Sequence, residues 1–264
     1  MPYPLIDIGA NLTHDNFVDD LKEVLGRAEA AGVGRMIVTG SDDQGNIDAA
    51  ELAEAHPGRL FATAGVHPHH AADYTDASDE LIRSLLLRKE VVAVGECGLD
   101  YFRDFSPRDA QKEAFRSQLD IAADTEMPVF LHQRDAHDDF IAILEPALAK
   151  IPRAVAHCFT GEGESMREYL AMGLWIGITG WICDERRGSH LQEIVAEIPD
   201  NRLLIETDAP YLLPRTLRPK PKTRRCEPAH LTEVLRVVAA ARGQSEQHVA
   251  EITTANAREF FALP

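Results

Sequence analysis

Eight short apolar runs recur along the chain, and most of them end in polar, reactive side chains. The runs are LIDI, RMIVTG, LFATAGV, VVAVGEC, PVFLH, RAVAH, LWIGIT and RLLIET. Several are unbroken Val, Ile, Leu and Ala, the composition of parallel strands covered on both faces. Between them lie segments with apolar residues at helical spacing, such as 17–31, 110–126 and 136–150. Ser106-Pro107 is positioned to open one helix, and Ala31-Gly32 to close another. Eight strand-helix repeats in about 250 residues predict a TIM (β/α)8 barrel. The competing open, doubly wound sheet has fewer strands and usually a Gly-rich first turn, and the first turn here lacks G-x-G-x-x-G. No linker or low-complexity stretch divides the chain, so residues 1–264 are read as one domain.

In a barrel, the ends of all strands meet at one face, where catalytic groups reside. Run three ends in GVHPHH, with His67, His69 and His70; run four in GECGLD, with Glu96 and Asp100. Run five brings His132, Arg134 and Asp135, run six His157, and run eight Glu206 and Asp208. Alone, a strand-end histidine is ordinarily a hydrogen-bonded structural residue, and Asp208 could simply cap the turn before Pro210. Together, two imidazoles and two carboxylates from four strands (Glu96, His132, His157 and Asp208) point to a hard or borderline metal ion. Cys97 is a poor ligand, because adjacent strand residues face opposite ways. The chain has no P-loop and no G-x-S-x-G elbow, which leaves metal-assisted attack by water on an electrophile.

The four cysteines form no C-x-x-C pair, and the N-terminus lacks a signal-peptide pattern. A cytoplasmic location is therefore expected. No apolar run approaches the ~20 residues of a membrane helix, so no membrane partner is expected. A net charge of −16 argues against a protein that coats nucleic acid, although not against a local phosphate-gripping site.

The stretches TAGVHPHH, VAVGECGLDYFRDFSP, PVFLHQRDA, HCFTG, IGITGWICDERRG and LLIETDAPYLLP, with EPAHL and TTANAREFF, resemble the TatD family of metal-dependent nucleases. They occur in the family's order along the whole chain. The resemblance implies an amidohydrolase-like barrel, a divalent metal and phosphodiester hydrolysis. It implies metal ligation by Glu96, His132 and His157, with Asp208 matching the last-strand aspartate and His67 a phosphate-side histidine. Most of the family opens with D-x-H-x-H. Here the frame is Asp7-Ile8-Gly9-Ala10-Asn11, which resembles an exonuclease subgroup lacking those two histidines. A second ion is therefore expected to be absent, weak or brought in with substrate.

The reading that follows is a 3′–5′ exonuclease on single-stranded DNA, with RNA as a further substrate, acting in DNA repair or degradation as a monomer. Mg²⁺ is the expected ion, ahead of Mn²⁺ or Zn²⁺. Asp208 is the candidate base, and His67 and Arg134 are candidates to pair with phosphate oxygens. Within a Pro-rich segment, 209–230, the stretch PRTLRPKPKTRRC carries Arg215, Arg218, Lys220, Lys222, Arg224 and Arg225 without one acid. Lys220, Lys222, Arg224 and Arg225 are expected to hold the nucleic-acid backbone; the alternative is a solvated connector. Tyr101, Phe102 and Phe105 are read either as base-stacking faces or as a plug beneath their loop. Two rivals to the nuclease are a small-molecule amidohydrolase or lactonase on the same barrel, and a binding module weakened by Gly9 and Asn11.

Overall fold

The computed structural model describes residues 2–264. All eight apolar runs are strands: β1 (Leu5–Ala10), β2 (Val33–Val38), β3 (Leu60–Ala64), β4 (Val91–Asp100), β5 (Val129–Arg134), β6 (Ala154–Ala156), β7 (Trp175–Ile178) and β8 (Leu203–Ile205). They follow one another in a single sheet in chain order, and the described ladders are parallel. Ala10 at the end of β1 bridges Ala209, just beyond β8, also in parallel, which ties the first strand to the last. The fold class is the expected (β/α)8 barrel. Every residue of β1, β3 and β4 is buried, as unbroken apolar runs require.

The contacts group into two compact units, each assembled from separate stretches of chain. The first comprises residues 1–37, 158–170 and 176–264. It contains β1, β8, α1 (Leu21–Ala30), α7 (Ser189–Ile194), α8 (Leu231–Arg242) and α9 (Glu246–Phe261). The second comprises residues 38–157 and 171–175. It contains β3 to β6 with α2 (Asp43–Ala55), α3 (Asp76–Leu85), α4 (Arg108–Thr125) and α5 (His137–Leu144). A further helix, α6, spans Gly163–Ala171.

Helix boundaries follow local chemistry. Gly32 closes α1 with a φ of +93°, a conformation natural to glycine. The periodic pattern suggested a helix over 136–150, but α5 stops at Leu144. Pro146 follows two residues later, without the N–H that a continuing helix needs and with a ring that crowds the preceding turn. Ser106 precedes α4 as expected, yet its hydroxyl does not cap the helix. It donates to the His69 carbonyl and accepts from the Ala72 N–H, pinning the loop after β3 instead.

Candidate active site

Glu96 leaves a fully buried strand at a break in its pairing. Val94 pairs with Val129 and Cys97 with Leu131, so the register shifts between them. Such irregularities re-aim a side chain. The flanking glycines permit it: Gly95 and Gly98 have φ of +137° and +143°, and a Cβ on either would collide with the β5 backbone at Phe130 or His132. Cys97 is wholly buried, and burial pushes its thiol pKa up, so it is an inert core residue.

Three imidazoles converge on a single Glu96 oxygen. His157 Nε2 lies 2.7 Å from Oε1, His132 Nδ1 2.9 Å and His67 Nε2 3.3 Å. Burial alone would raise the Glu96 pKa, but the charges of His157 and His67 and the bonds from His132 and His157 hold it well below its ordinary value. The structure thus brings together Glu96, His132, His157 and His67, all in the second unit.

Their chemistry suits a divalent ion. Ligand atoms of His67, Glu96 and His132 lie within 4.8 Å of one another, a nitrogen-oxygen donor set. His132 Nε2 is buried without a hydrogen-bond partner among the described residues. Its nearest acceptor is Asp100 Oδ2 at 3.4 Å, an ionic contact rather than an aligned hydrogen bond. A buried nitrogen in that state is what a ligand set presents.

The protonation pattern separates His67 from the other two. His67 caps the short 3-10 turn Pro68–Asp73, and its Nδ1 accepts from the His69 N–H at 3.1 Å. Burial pushes its pKa down to about 4, so the ring is neutral near pH 7. With Nδ1 accepting, the proton sits on Nε2. In that tautomer Nε2 can donate to an oxyanion; to ligate an ion, the ring would have to move its proton to Nδ1.

Asp100, placed among the strand-end residues by sequence but given no role, is the hub behind this cluster. Its carboxylate accepts from the backbone N–H groups of Phe102 (3.0 Å) and Arg103 (2.8 Å) and lies 2.8 Å from His69 Nε2. Burial opposes its charge, but His132, His69 and the Arg103 N–H outweigh it and keep the pKa far below the carboxylate range. The signal was a carboxylate ending an otherwise apolar buried strand.

Asp208 belongs to the first unit. It sits at φ +54°, its N–H donates to the Gly9 carbonyl, and its Oδ1 accepts from Asn11 Nδ2 at 3.0 Å. Residues 9 and 11 therefore both engage Asp208. Nearby, Asp7 accepts from the Thr207 N–H (2.9 Å), the Thr207 hydroxyl (2.5 Å) and the Gly9 N–H (3.3 Å).

The expected basic strip divides. Lys220, Lys222 and Arg224 are exposed and make no ion pair among the described residues. Arg225 does not belong with them. Its guanidinium bonds Asp20 (2.7 and 2.8 Å), Glu227 (2.7 Å) and the Asn16 carbonyl, so its donors serve the fold. Arg215 is likewise held by Glu185. Arg134, expected to face phosphate, lays its guanidinium 4.3 Å from the Phe102 ring centre.

The chain matches the family model described as TatD related DNase over residues 6–262. It is 51% identical over 259 residues to the 3′-5′ ssDNA/RNA exonuclease TatD of Citrobacter rodentium, covering 98% of each chain. It is 49% identical over 260 residues to the protein of the same name from Erwinia billingiae, covering 98% of this chain and 100% of the relative. Among solved structures, the TatD homolog YjjV of Escherichia coli K12 superposes with a TM-score of 0.89 at 30% identity, over 98% of each chain. A TatD-family hydrolase from Entamoeba histolytica gives 0.88 at 27% identity over the full length of both.

Proposed function

The chain belongs to the TatD-related DNase family, and from that membership we propose that it is a divalent-metal-dependent 3′–5′ exonuclease of single-stranded DNA and RNA. The observation that carries the reading is the convergence of His132, His157 and His67 on one Glu96 oxygen.

Glu96, His132 and His157 would hold the ion. Bound there, it would supply Lewis-acid polarisation of the phosphoryl group and acidify a water molecule. The chain's own residues would do the rest. His67, neutral with its proton on Nε2, would donate to a non-bridging phosphate oxygen, which carries more charge in the transition state than in the ground state. Asp208 is our candidate to take the proton of the attacking water. Support for that role comes from the family correspondence, together with the Asn11 bond to its carboxylate and the Gly9 bond to its backbone N–H. Lys220, Lys222 and Arg224 would supply backbone contacts to the polymer.

We further infer that Mg²⁺ is the working ion, that the protein acts as a cytoplasmic monomer, and that DNA repair or degradation is its setting. No helix among the described residues is long and apolar enough to cross a membrane.

The test uses single-stranded DNA labelled at its 5′ end. With Mg²⁺ it should yield a ladder shortened from the 3′ end, and chelation should abolish the ladder. Glu96→Gln and His157→Ala should each lower turnover at least about a hundredfold while leaving the melting temperature within a few degrees. Near-normal turnover by either variant would refute the ligand assignment. Hydrolysis of simple esters but not of oligonucleotides would favour the small-molecule rival instead.

A further inference from the structure

The loop between β4 and α4 carries three aromatic residues that the structure treats differently. Tyr101 is committed to the fold: its hydroxyl donates to Asp139 at 2.6 Å, and Arg108 lies 4.1 Å from its ring centre. Phe102 is 53% exposed, with guanidinium groups of Arg134 and Arg103 at 4.3 and 5.6 Å. Phe105 is 68% exposed, too open to serve as a plug. Leaving a ring in water forgoes the gain of burying it, so the position invites a partner.

What lies behind Phe105 identifies the partner. Its ring sits 4.8 Å from that of His69. His69 lies edge-on to His67 at 4.2 Å, and His67 to His132 at 4.5 Å. A ladder of rings thus runs from the exposed Phe105 to the histidines around Glu96. Its inner end is His67, to which the proposed function gives a phosphate oxygen, and its outer end offers a bare aromatic face. A nucleotide has the same polarity: a charged phosphate at one end and a flat base at the other, one sugar apart. The position of His69 is fixed from behind by Asp100 at 2.8 Å, and the loop itself by the Ser106 bonds to His69 and Ala72. The platform is therefore held in place before any ligand arrives, which lowers the ordering cost of binding.

We propose that Phe105 is a stacking platform for a nucleobase flanking the scissile phosphate. The inference rests on the exonuclease reading and adds to it a residue that reads the base face. Stacking on a lone ring tolerates all four bases, so the platform registers the presence of a base and not its identity.

The experiment compares intact single-stranded DNA with strands carrying an abasic residue at the terminal or the penultimate 3′ position. Wild-type protein should cleave at least one abasic strand with a kcat/KM on the order of tenfold lower, the scale of one base–aromatic stack, mostly through KM. Phe105→Leu keeps an apolar side chain of similar bulk but no aromatic face, and should cleave intact and abasic strands equally. Phe105→Trp should restore the discrimination. If wild-type protein does not discriminate, or if Phe105→Leu discriminates as well as wild type, the platform is refuted while the exonuclease reading stands. If wild-type protein cleaves no single-stranded DNA, both readings fall.

Discussion

Gly9 and Asn11, which stand where the sequence departs from the expected D-x-H-x-H frame, both bond Asp208, the first through its backbone carbonyl and the second through its side chain. Asn11 donates to the carboxylate of Asp208 and also to the Ala209 carbonyl, at 3.0 and 3.2 Å. The amide N–H orients the carboxylate. Asn11→Ala should therefore lower kcat by roughly ten- to a hundredfold, the usual penalty for losing a group that orients a reactive carboxylate. Calorimetric titration with Mn²⁺ should still find about one tight site per chain. Two comparably tight sites in the wild-type protein would contradict this account. Asp7 carries a second consequence. Burial pushes its pKa up to about 7, against the Thr207 and Gly9 bonds, with Glu206 adding repulsion. Folding then favours the protonated acid, so its stabilisation is complete below the ordinary carboxylate range and is lost as pH rises through about 7. The melting temperature should fall over that interval, and Asp7→Asn should flatten the fall; an unchanged slope would exclude Asp7 as its source. The histidines and Glu96 could be named from sequence because each ends an apolar run. The Asp100 hub and the Nδ1 acceptor role of His67 could not, because both depend on loop backbone that no periodicity describes.

Sequence showed the existence of the strands but not their irregularities. Val91–Asp100 reads as an unbroken buried strand, and only the Gly-x-x-Gly frame of Gly95 and Gly98 hinted that pairing breaks beside Glu96. The basic segment shows the same limit: six cations in eleven residues look uniform on paper, yet acids distant in sequence claim some of them. Lys220, Lys222 and Arg224 form the exposed group, and Arg225 fastens the segment to α1 through Asp20, with Glu227 bonding both Arg225 and Arg27. These roles predict separate phenotypes. Neutralising Lys220, Lys222 and Arg224 together should raise KM for oligonucleotides and flatten its salt dependence, with thermal stability unchanged. Arg225→Ala should instead cost ~1–2 kcal/mol of stability, seen as a lower denaturation midpoint. If the triple variant keeps the wild-type salt slope, the segment is a solvated connector.

At the scale of the whole molecule, a polyanionic substrate approaches a protein of net charge −16. Global repulsion reaches tens of ångströms at low ionic strength but is cut to about 10 Å near 0.1 M salt. Attraction at an exposed lysine–arginine group acts at contact and is lost through counterion release as salt rises further. The KM for single-stranded DNA should therefore pass through a minimum as salt is raised, where a basic nuclease would show a steady rise. A steady rise here would mean that local charge already dominates at the lowest salt. The same exposed segment has a meaning for a protease. Proline follows Arg218 and Lys220 and blocks trypsin at both, and Arg215 and Arg225 are held in ion pairs, so the bonds after Lys222 and Arg224 are the ones most open to it. Exposed loops of this kind are where chains are nicked. A cut after Lys222 would leave Arg225 on the C-terminal piece, still clamped to Asp20 on the other. That piece also keeps α9, which packs on β1 and β8 and bonds the Pro4 carbonyl through Thr254. Brief digestion should yield two fragments that travel as one body on a sizing column and separate only in denaturant, and bound oligonucleotide should slow the cut.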